Sequence, residues 1–326
     1  MKLVAWVVGL SVLLTGCVSQ PVRPVAPAPE VLAENQYALV VRALAGDTYA
    51  SLAEAFLGSP MLDWVVREEN ANRPLSADVV VVIPKGESNP IGVSRDHYQV
   101  VPVLSYHHFS AKGGPLTVHP ESFRRQLQYL KTEGFRAVSL ADFKAFLAGQ
   151  KRLPPRSVLL TIDDGYPSVY DIAFPLLREF AMPAVVFVYS DFVERGGLTF
   201  EQLREMERSG LVDVQSHSKS HHDLTEIRPD ETPIDYEVRL AREVAVPKRR
   251  LERDLAKTIT TMAYPYGATN RPLARAMKRL GMQLGFTVRR GANAFFDYRF
   301  ALRRSMVYRK TDLSDFAQML RVRAPH

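Results

Sequence analysis

Two short stretches of this chain carry side chains whose type and spacing can do chemistry. The first is Ile162-Asp163-Asp164-Gly165-Tyr166, which ends the apolar run from Val158 to Thr161. Adjacent carboxylates at a buried strand end repel each other and lose hydration, so a cation or a shared proton has to relieve them. The second is Val214-Gln215-Ser216-His217-Ser218-Lys219-Ser220-His221-His222, where His217 and His221 stand at i and i+4. On one helical turn both imidazoles would share a face, with their Nε2 atoms able to meet one ion. One Asp and two His leave positions for water and substrate, the open arrangement of a catalytic metal site. Zn²⁺ is the expected ion, with Co²⁺, Ni²⁺ and Fe²⁺ left open by the donor set. Either stretch alone is a weak signal; their order after an apolar strand gives them weight.

Such groups need a scaffold, and the pattern around them supplies one. Val100 to Leu104, Val158 to Ile162, Ala184 to Val188 and Val212 to Gln215 read as short strands. Between them, Glu121 to Glu133 and Asp142 to Leu147 carry apolar residues at helical spacing. Alternating strand and helix predicts an α/β parallel sheet or barrel, with chemistry at the carboxyl ends of the strands. The length of 326 residues corresponds to about two domains. With 46% hydrophobic and 24% charged residues, wholesale disorder, collagen-like repetition and a polytopic membrane protein are excluded. The net charge of +7 is scattered without a basic run, so no nucleic-acid partner is expected and a polyanionic envelope is suitable. There is one cysteine, so no intrachain disulfide is possible.

Together, Thr161-Ile162-Asp163-Asp164-Gly165 and His217-Ser218-Lys219-Ser220-His221 resemble the first two motifs of the polysaccharide deacetylase family, with its NodB homology domain. The resemblance runs over about residues 98 to 322 and implies a deformed (β/α) barrel. It also implies that Asp163 is the catalytic base and that Asp164, His217 and His221 hold one divalent metal, with His222 the alternative to His221. In that chemistry the metal lowers the pKa of water and polarises an acetyl carbonyl. The third motif matches Ala263-Tyr264-Pro265-Tyr266-Gly267, which makes the Tyr266 backbone N–H the oxyanion donor. Ala263 stands where the family has an Arg that holds the catalytic Asp. Leu302-Arg303-Arg304 resembles the late strand of relatives that supply this Arg elsewhere, and of its two candidates Arg304 is preferred to Arg303. No His lies between His222 and His326, so the late acid of many relatives is missing. Ser105-Tyr106-His107-His108 resembles biofilm-type poly-N-acetylglucosamine deacetylases, whose early His is the acid; this implies His107, with His108 as the alternative. Tyr166, Tyr170 and Tyr266 are candidates for stacking on sugar faces.

The N-terminus has its own logic. Lys2 precedes an apolar and small-residue run from Leu3 to Gly16, shorter than the roughly 20 residues a spanning helix needs. Leu14-Thr15-Gly16-Cys17 resembles a bacterial lipobox, implying a signal peptide over 1–16 and lipidation of Cys17. A Pro-rich stretch predicts an extended tether over 17–35. Residues 36–86 then read strand, helix, helix, strand, with Asp47 or Thr48 as N-cap. Gly46-Asp47-Thr48, Asn70 with Asn72, and Val81-Val82-Ile83-Pro84-Lys85-Gly86 resemble the glycan-binding LysM module, although Ala77-Asp78 replaces the usual Gly before the last strand. Pro90 to Asp96 reads as a linker.

The expected protein is a bacterial cell-envelope lipoprotein, on the outer membrane facing the periplasm where there are two membranes. Its expected activity is removal of N-acetyl groups from N-acetylglucosamine residues of peptidoglycan or poly-N-acetylglucosamine. A non-catalytic glycan-binding lipoprotein and a two-metal phosphatase are the rivals.

Overall fold

The computed structural model describes residues 28–86, 89, 93 and 98–321. Cys17, the lipobox and most of the expected tether and linker lie outside the described residues.

The N-terminal part contains β1 (Glu30–Glu34), β2 (Ala38–Arg42), α1 (Tyr49–Leu57), α2 (Asp63–Glu69) and β3 (Val80–Pro84). β2 pairs antiparallel with both β1 and β3. Thr48 is the N-cap of α1, and its hydroxyl accepts the Ser51 N–H while Ser51 caps back. Val41, Leu52, Val66, Val81 and Ile83 form a small core of their own. Asp78, standing in place of the usual Gly, adopts φ 64, a conformation that Asp tolerates better than most residues. Asn70, expected as a glycan-module landmark, is buried and structural: its amide exchanges hydrogen bonds with the Val82 backbone and donates to the Val66 carbonyl. One expectation is corrected here, because the tether does not run to residue 35. The last Pro of that stretch is Pro29, and the proline-free segment Glu30–Glu34 has N–H groups free to join a ladder.

The larger part alternates as its pattern predicts. β4 (Val100–Tyr106), β5 (His108–Phe109) and β6 (Thr117–Val118) precede α3 (Pro120–Thr132), β7 (Arg136–Ala137), α4 (Leu140–Leu147) and β8 (Ser157–Ile162). Next come α5 (Phe174–Phe180), β9 (Ala184–Val188), α6 (Phe200–Arg208), β10 (Val212–Ser216), α7 (Pro233–Leu255) and β11 (Thr261–Ala263). The chain ends with α8 (Arg271–Arg279), β12 (Leu284–Phe286), β13 (Ala292–Ala294), β14 (Ser305–Met306) and α9 (Leu313–Leu320). The sheet runs β12-β11-β10-β9-β8-β4-β13, parallel from β12 to β4, with β13 antiparallel to β4. It curls, because one segment bridges β12 and β4. Leu302 pairs with Phe286 and, a few residues on, β14 pairs parallel with β4.

Strand alternation sorts these residues into two cores. Val158, Leu160, Ile162, Val186, Val188 and Val214 pack outward under the helices. Val101, Val103, Leu159, Val185, Phe187, Ala263, Phe286 and Leu302 pack inward, joined by Phe143 and Phe146 of α4. Arg136 and Arg152 of the larger part reach the small one. Arg136 donates to the Met61 carbonyl (2.9 Å) and Asp63 (2.5 Å), and Arg152 lies over the Trp64 ring and pairs with Glu68.

Tight packing at β12 generates a prediction. A Cβ on Gly285 would stand 2.1 Å from the Tyr264 hydroxyl oxygen, which is held by the Phe300 carbonyl. Gly285→Ala should therefore destabilise by about 1–3 kcal/mol. In thermal unfolding followed by circular dichroism, an unchanged Tm would show that Tyr264 can move aside.

Candidate active site

The inward register continues past the strand ends and puts side chains from separate strands around one point. Following Val101 and Val103 on β4 come Ser105 and His107; following Leu159 on β8 come Thr161 and Asp163. Following Val185 and Phe187 on β9 comes Tyr189, and Gln215 on β10 is followed by His217. On the closing segment, Leu302 is followed by Arg304, while Arg303 falls on the opposite side and is exposed. All of these lie at the carboxyl end of the parallel sheet, where the fold class concentrates chemistry.

Asp163 and Arg304 are the buried centre of the cluster, at 1% and 0% exposure. The guanidinium grips the carboxylate with two bonds, Nη1 to Oδ1 and Nη2 to Oδ2, both 2.7 Å. Its Nε also donates to the Thr287 carbonyl (2.9 Å) and its Nη1 to the Thr161 hydroxyl (3.2 Å). Burial opposes ionisation of Asp163, but Arg304 and, behind it, His217 and His107 outweigh burial and hold the carboxyl below its ordinary range. Ala263, which stands at the motif position of the absent Arg, contributes through its backbone instead, and its carbonyl accepts from His217 Nδ1 at 2.8 Å. That bond leaves His217 Nε2 free to face Asp164.

Asp164 turns the other way. At φ 73 it is left-handed, and its Oδ1 lies 3.4 Å from His217 Nε2 and 3.2 Å from His221 Nε2. One donor atom from each of Asp164, His217 and His221 falls within 4.8 Å of the others, and buried Asp164 Oδ1 has no hydrogen-bond partner. Two imidazole nitrogens converging on the unsatisfied buried oxygen of a carboxylate fit a divalent ion of the zinc type. Burial raises the Asp164 pKa, and the two imidazoles more than reverse this, so the carboxyl stays ionised. Gly165 follows at φ +78, and a Cβ there would strike Val188.

The two histidines do not lie on a helical turn as their spacing predicts; α7 begins only at Pro233. They sit on a loop in which Ser218 (φ 72) and His221 (φ 60) are left-handed, and those turns bring His221 back beside His217. The carbonyls of Ser218 and Lys219 accept the N–H groups of Ser190 and Asp191, so strand-like pairing with the neighbouring loop replaces helical bonds. His222 is exposed, bonds Ser220 through Nδ1 and stays outside the group.

His107 is buried with Nε2 3.8 Å from Asp163 Oδ2, beyond hydrogen-bond range, and its Nδ1 has no partner. Burial pushes the imidazole pKa down, against the pull of Asp163 and Asp164. His108 instead packs edge-on against Tyr166. Tyr266, left-handed at φ 56, exposes its ring and meets His221 edge-on. Ring contacts then run from His221 to Tyr189, Phe192, Tyr166 and His108, an aromatic arc around the carboxylate and histidines. Tyr170 is outside it, bonded to Glu205. Tyr189 and Phe192 were absent from the sequence-based candidates, although Tyr189 directly follows an apolar strand, which is the signal that points to it.

The fold and these groups define a class. Residues 150–285 match the family model for polysaccharide deacetylase. A putative polysaccharide deacetylase of Bacillus subtilis, YxkH, is 26% identical over 250 residues, 74% of this chain and 86% of the relative. The poly-beta-1,6-N-acetyl-D-glucosamine N-deacetylase of Staphylococcus epidermidis is 29% identical over 54% of this chain, and that of Escherichia coli K12 is 27% identical over 63%. The matches span 63% and 36% of those two enzymes. Among solved structures, IcaB from Ammonifex degensii has TM-score 0.61 at 29% identity, covering 68% of this chain and 95% of its own. Streptococcus pyogenes deacetylase PplD, solved with acetate, has TM-score 0.62 at 26% identity, covering 68% and 98%.

The Arg304 grip is testable. Arg304→Met leaves Asp163 buried without its cation and should cost about 3–5 kcal/mol. Arg304→Lys keeps the charge but not the two-pronged geometry, so it should retain more stability than Arg304→Met in urea unfolding. Equal stability of all three proteins would show that the ion pair does not hold the centre.

Proposed function

We propose that this protein is a metal-dependent N-deacetylase acting on N-acetylglucosamine residues of an extracellular or envelope polysaccharide, with β-1,6-linked poly-N-acetylglucosamine the first substrate to test. The observation that carries this is the division of labour between neighbouring carboxylates: Asp163 is locked on Arg304, and Asp164 faces His217 and His221. The names of the Staphylococcus and Escherichia relatives and the early, buried His107 support the substrate.

Asp164, His217 and His221 would hold the ion, which as a Lewis acid lowers the pKa of water and polarises an amide carbonyl. Asp163, ionised by its pairing with Arg304, accepts a proton from the attacking water. The amide carbon gains a C–O bond, and the Tyr266 backbone N–H donates to the oxygen that becomes negative. His107 gives its proton to the leaving nitrogen as the C–N bond breaks and regains the one Asp163 took, so water and amide become acetic acid and glycan amine, which leave as acetate and ammonium. The aromatic arc from His108 to Tyr266 offers apolar ring faces to a pyranose.

Zinc-loaded protein should release acetate from β-1,6-N-acetylglucosamine oligomers, with mass spectrometry showing loss of acetyl groups. Chelation should stop the release and zinc should restore it. Asp163→Asn should lower the rate by about 10²–10⁴-fold while leaving zinc binding intact. Oligomer binding without acetate release under any divalent ion would instead support the non-catalytic lipoprotein.

The lipobox-like Leu14 to Cys17 and the β2-α1-α2-β3 order within the small part support a lipid-anchored envelope location with a LysM-like module ahead of the catalytic part. Cys17→Ala, expressed in a bacterium with its leader, should move the protein from the membrane to the soluble fraction. Continued membrane retention would refute lipidation as the anchor.

A further inference from the structure

The loop carrying His217 and His221 has to be held from outside, since it has no helical bonds and contains two left-handed non-glycine residues. One side of it is tied to the loop after β9, through Ser218, Lys219 and the Lys219–Asp191 ion pair (2.5 Å). On the other side, Glu243 of α7 bonds the loop. Glu243 Oε2 accepts the backbone N–H groups of Lys219 (3.2 Å) and Ser220 (3.1 Å), and its Oε1 accepts the Ser220 hydroxyl at 2.8 Å. The residue is 7% exposed, so this carboxylate is buried; among the described residues its hydrogen bonds come from loop N–H and O–H groups, and the charge of Arg239, one turn earlier on α7, interacts with it. A buried carboxylate without a paired cation is costly unless hydrogen bonds satisfy it. All three of these bonds fall on the two residues that separate Ser218 from His221.

We propose that Glu243 is a positioning residue of the metal centre. By fixing Lys219 and Ser220 it sets the path of the chain between the two histidines, and so the separation at which their Nε2 atoms meet Asp164. The hydrogen bonds of Glu243 go to Lys219 and Ser220, so its effect runs through the loop backbone, one step further out than the Ala263 carbonyl that orients His217. The inference rests on the reading that Asp164, His217 and His221 bind a divalent ion.

The test uses the full chain, stripped of metal by chelation and titrated with zinc in a calorimeter, with the Tm of each apo protein as a fold control. Glu243→Ala should weaken zinc binding by about 10–100-fold, the range for partners that orient metal ligands. Glu243→Gln keeps a carbonyl oxygen for the two amides and should recover most of the affinity. Ser220→Ala loses one bond and should fall between the wild type and Glu243→Ala. If Glu243→Ala does not fold, Glu243→Gln and Ser220→Ala carry the comparison, with wild-type affinity in Ser220→Ala counting against the proposal. A lower Tm with unchanged zinc affinity overturns it, since Glu243 would then be structural only. Wild-type protein that takes up no zinc, cobalt or nickel overturns the metal reading itself and this inference with it.

Discussion

The buried pair between Arg304 and Asp163 is the interaction on which the rest of the site depends. A carboxylate taken out of water beside a second carboxylate is unfavourable by itself. It is held here by two parallel hydrogen bonds from a guanidinium that is itself buried. The guanidinium in turn needs acceptors, which the Thr287 carbonyl and Thr161 hydroxyl provide. Thr287 follows β12 and Thr161 lies on β8, so the pair ties the edge of the sheet to its middle. The segment that bears Arg304 is also the one that bridges β12 and β4, pairing Leu302 with Phe286 and Ser305 with Leu104. Closure of the sheet and ionisation of the candidate base are therefore one structural event.

That coupling explains how two adjacent aspartates acquire different roles. Asp163 keeps the inward register of β8 and points at Arg304. Asp164 leaves the strand in a left-handed conformation and turns toward the histidines. Gly165 follows because another left-handed residue is required where Val188 leaves no room for a side chain. Left-handed Ser218, His221 and Tyr266 face the same point, so the site concentrates backbone conformations that non-glycine residues seldom adopt. Bonds from Glu243, Ala263 and the loop after β9 hold the stretch from His217 to Ser220.

Much of this was legible in the sequence, for identifiable reasons. The strands were visible because the sheet is covered on both faces and its members read as continuous apolar runs, and the helices because one stripe of each is apolar. Asp163-Asp164 and His217 with His221 were visible because their types are costly where the pattern buries them. Loop shape was not visible. Spacing of i and i+4 suggested a helical turn, yet the chain uses left-handed residues and bonds from distant segments, which local periodicity does not encode. Tyr189 and Phe192 look like ordinary core aromatics until the ring contacts around His221 are known. The strand at Glu30–Glu34 was hidden in composition dominated by the prolines that precede it.

The choice between Arg303 and Arg304 was open in the sequence, though the information to decide it was present. Leu302 is apolar and belongs inside a strand-like segment, so period-2 alternation sends Arg304 inside with it and Arg303 out. What the chain alone could not supply was the partner, because Asp163 lies on a strand far away in sequence. The same step removes the main reason for regarding the barrel as degenerate. Absence of Arg at position 263 would leave the candidate base without its cation only if no other strand could provide one. Here the closing segment provides it, and the small Ala263 leaves its backbone carbonyl to orient His217. The substitution moves the cation to a different strand without removing it, and the physical requirement that Asp163 be ionised in a buried place is met from the opposite edge of the sheet.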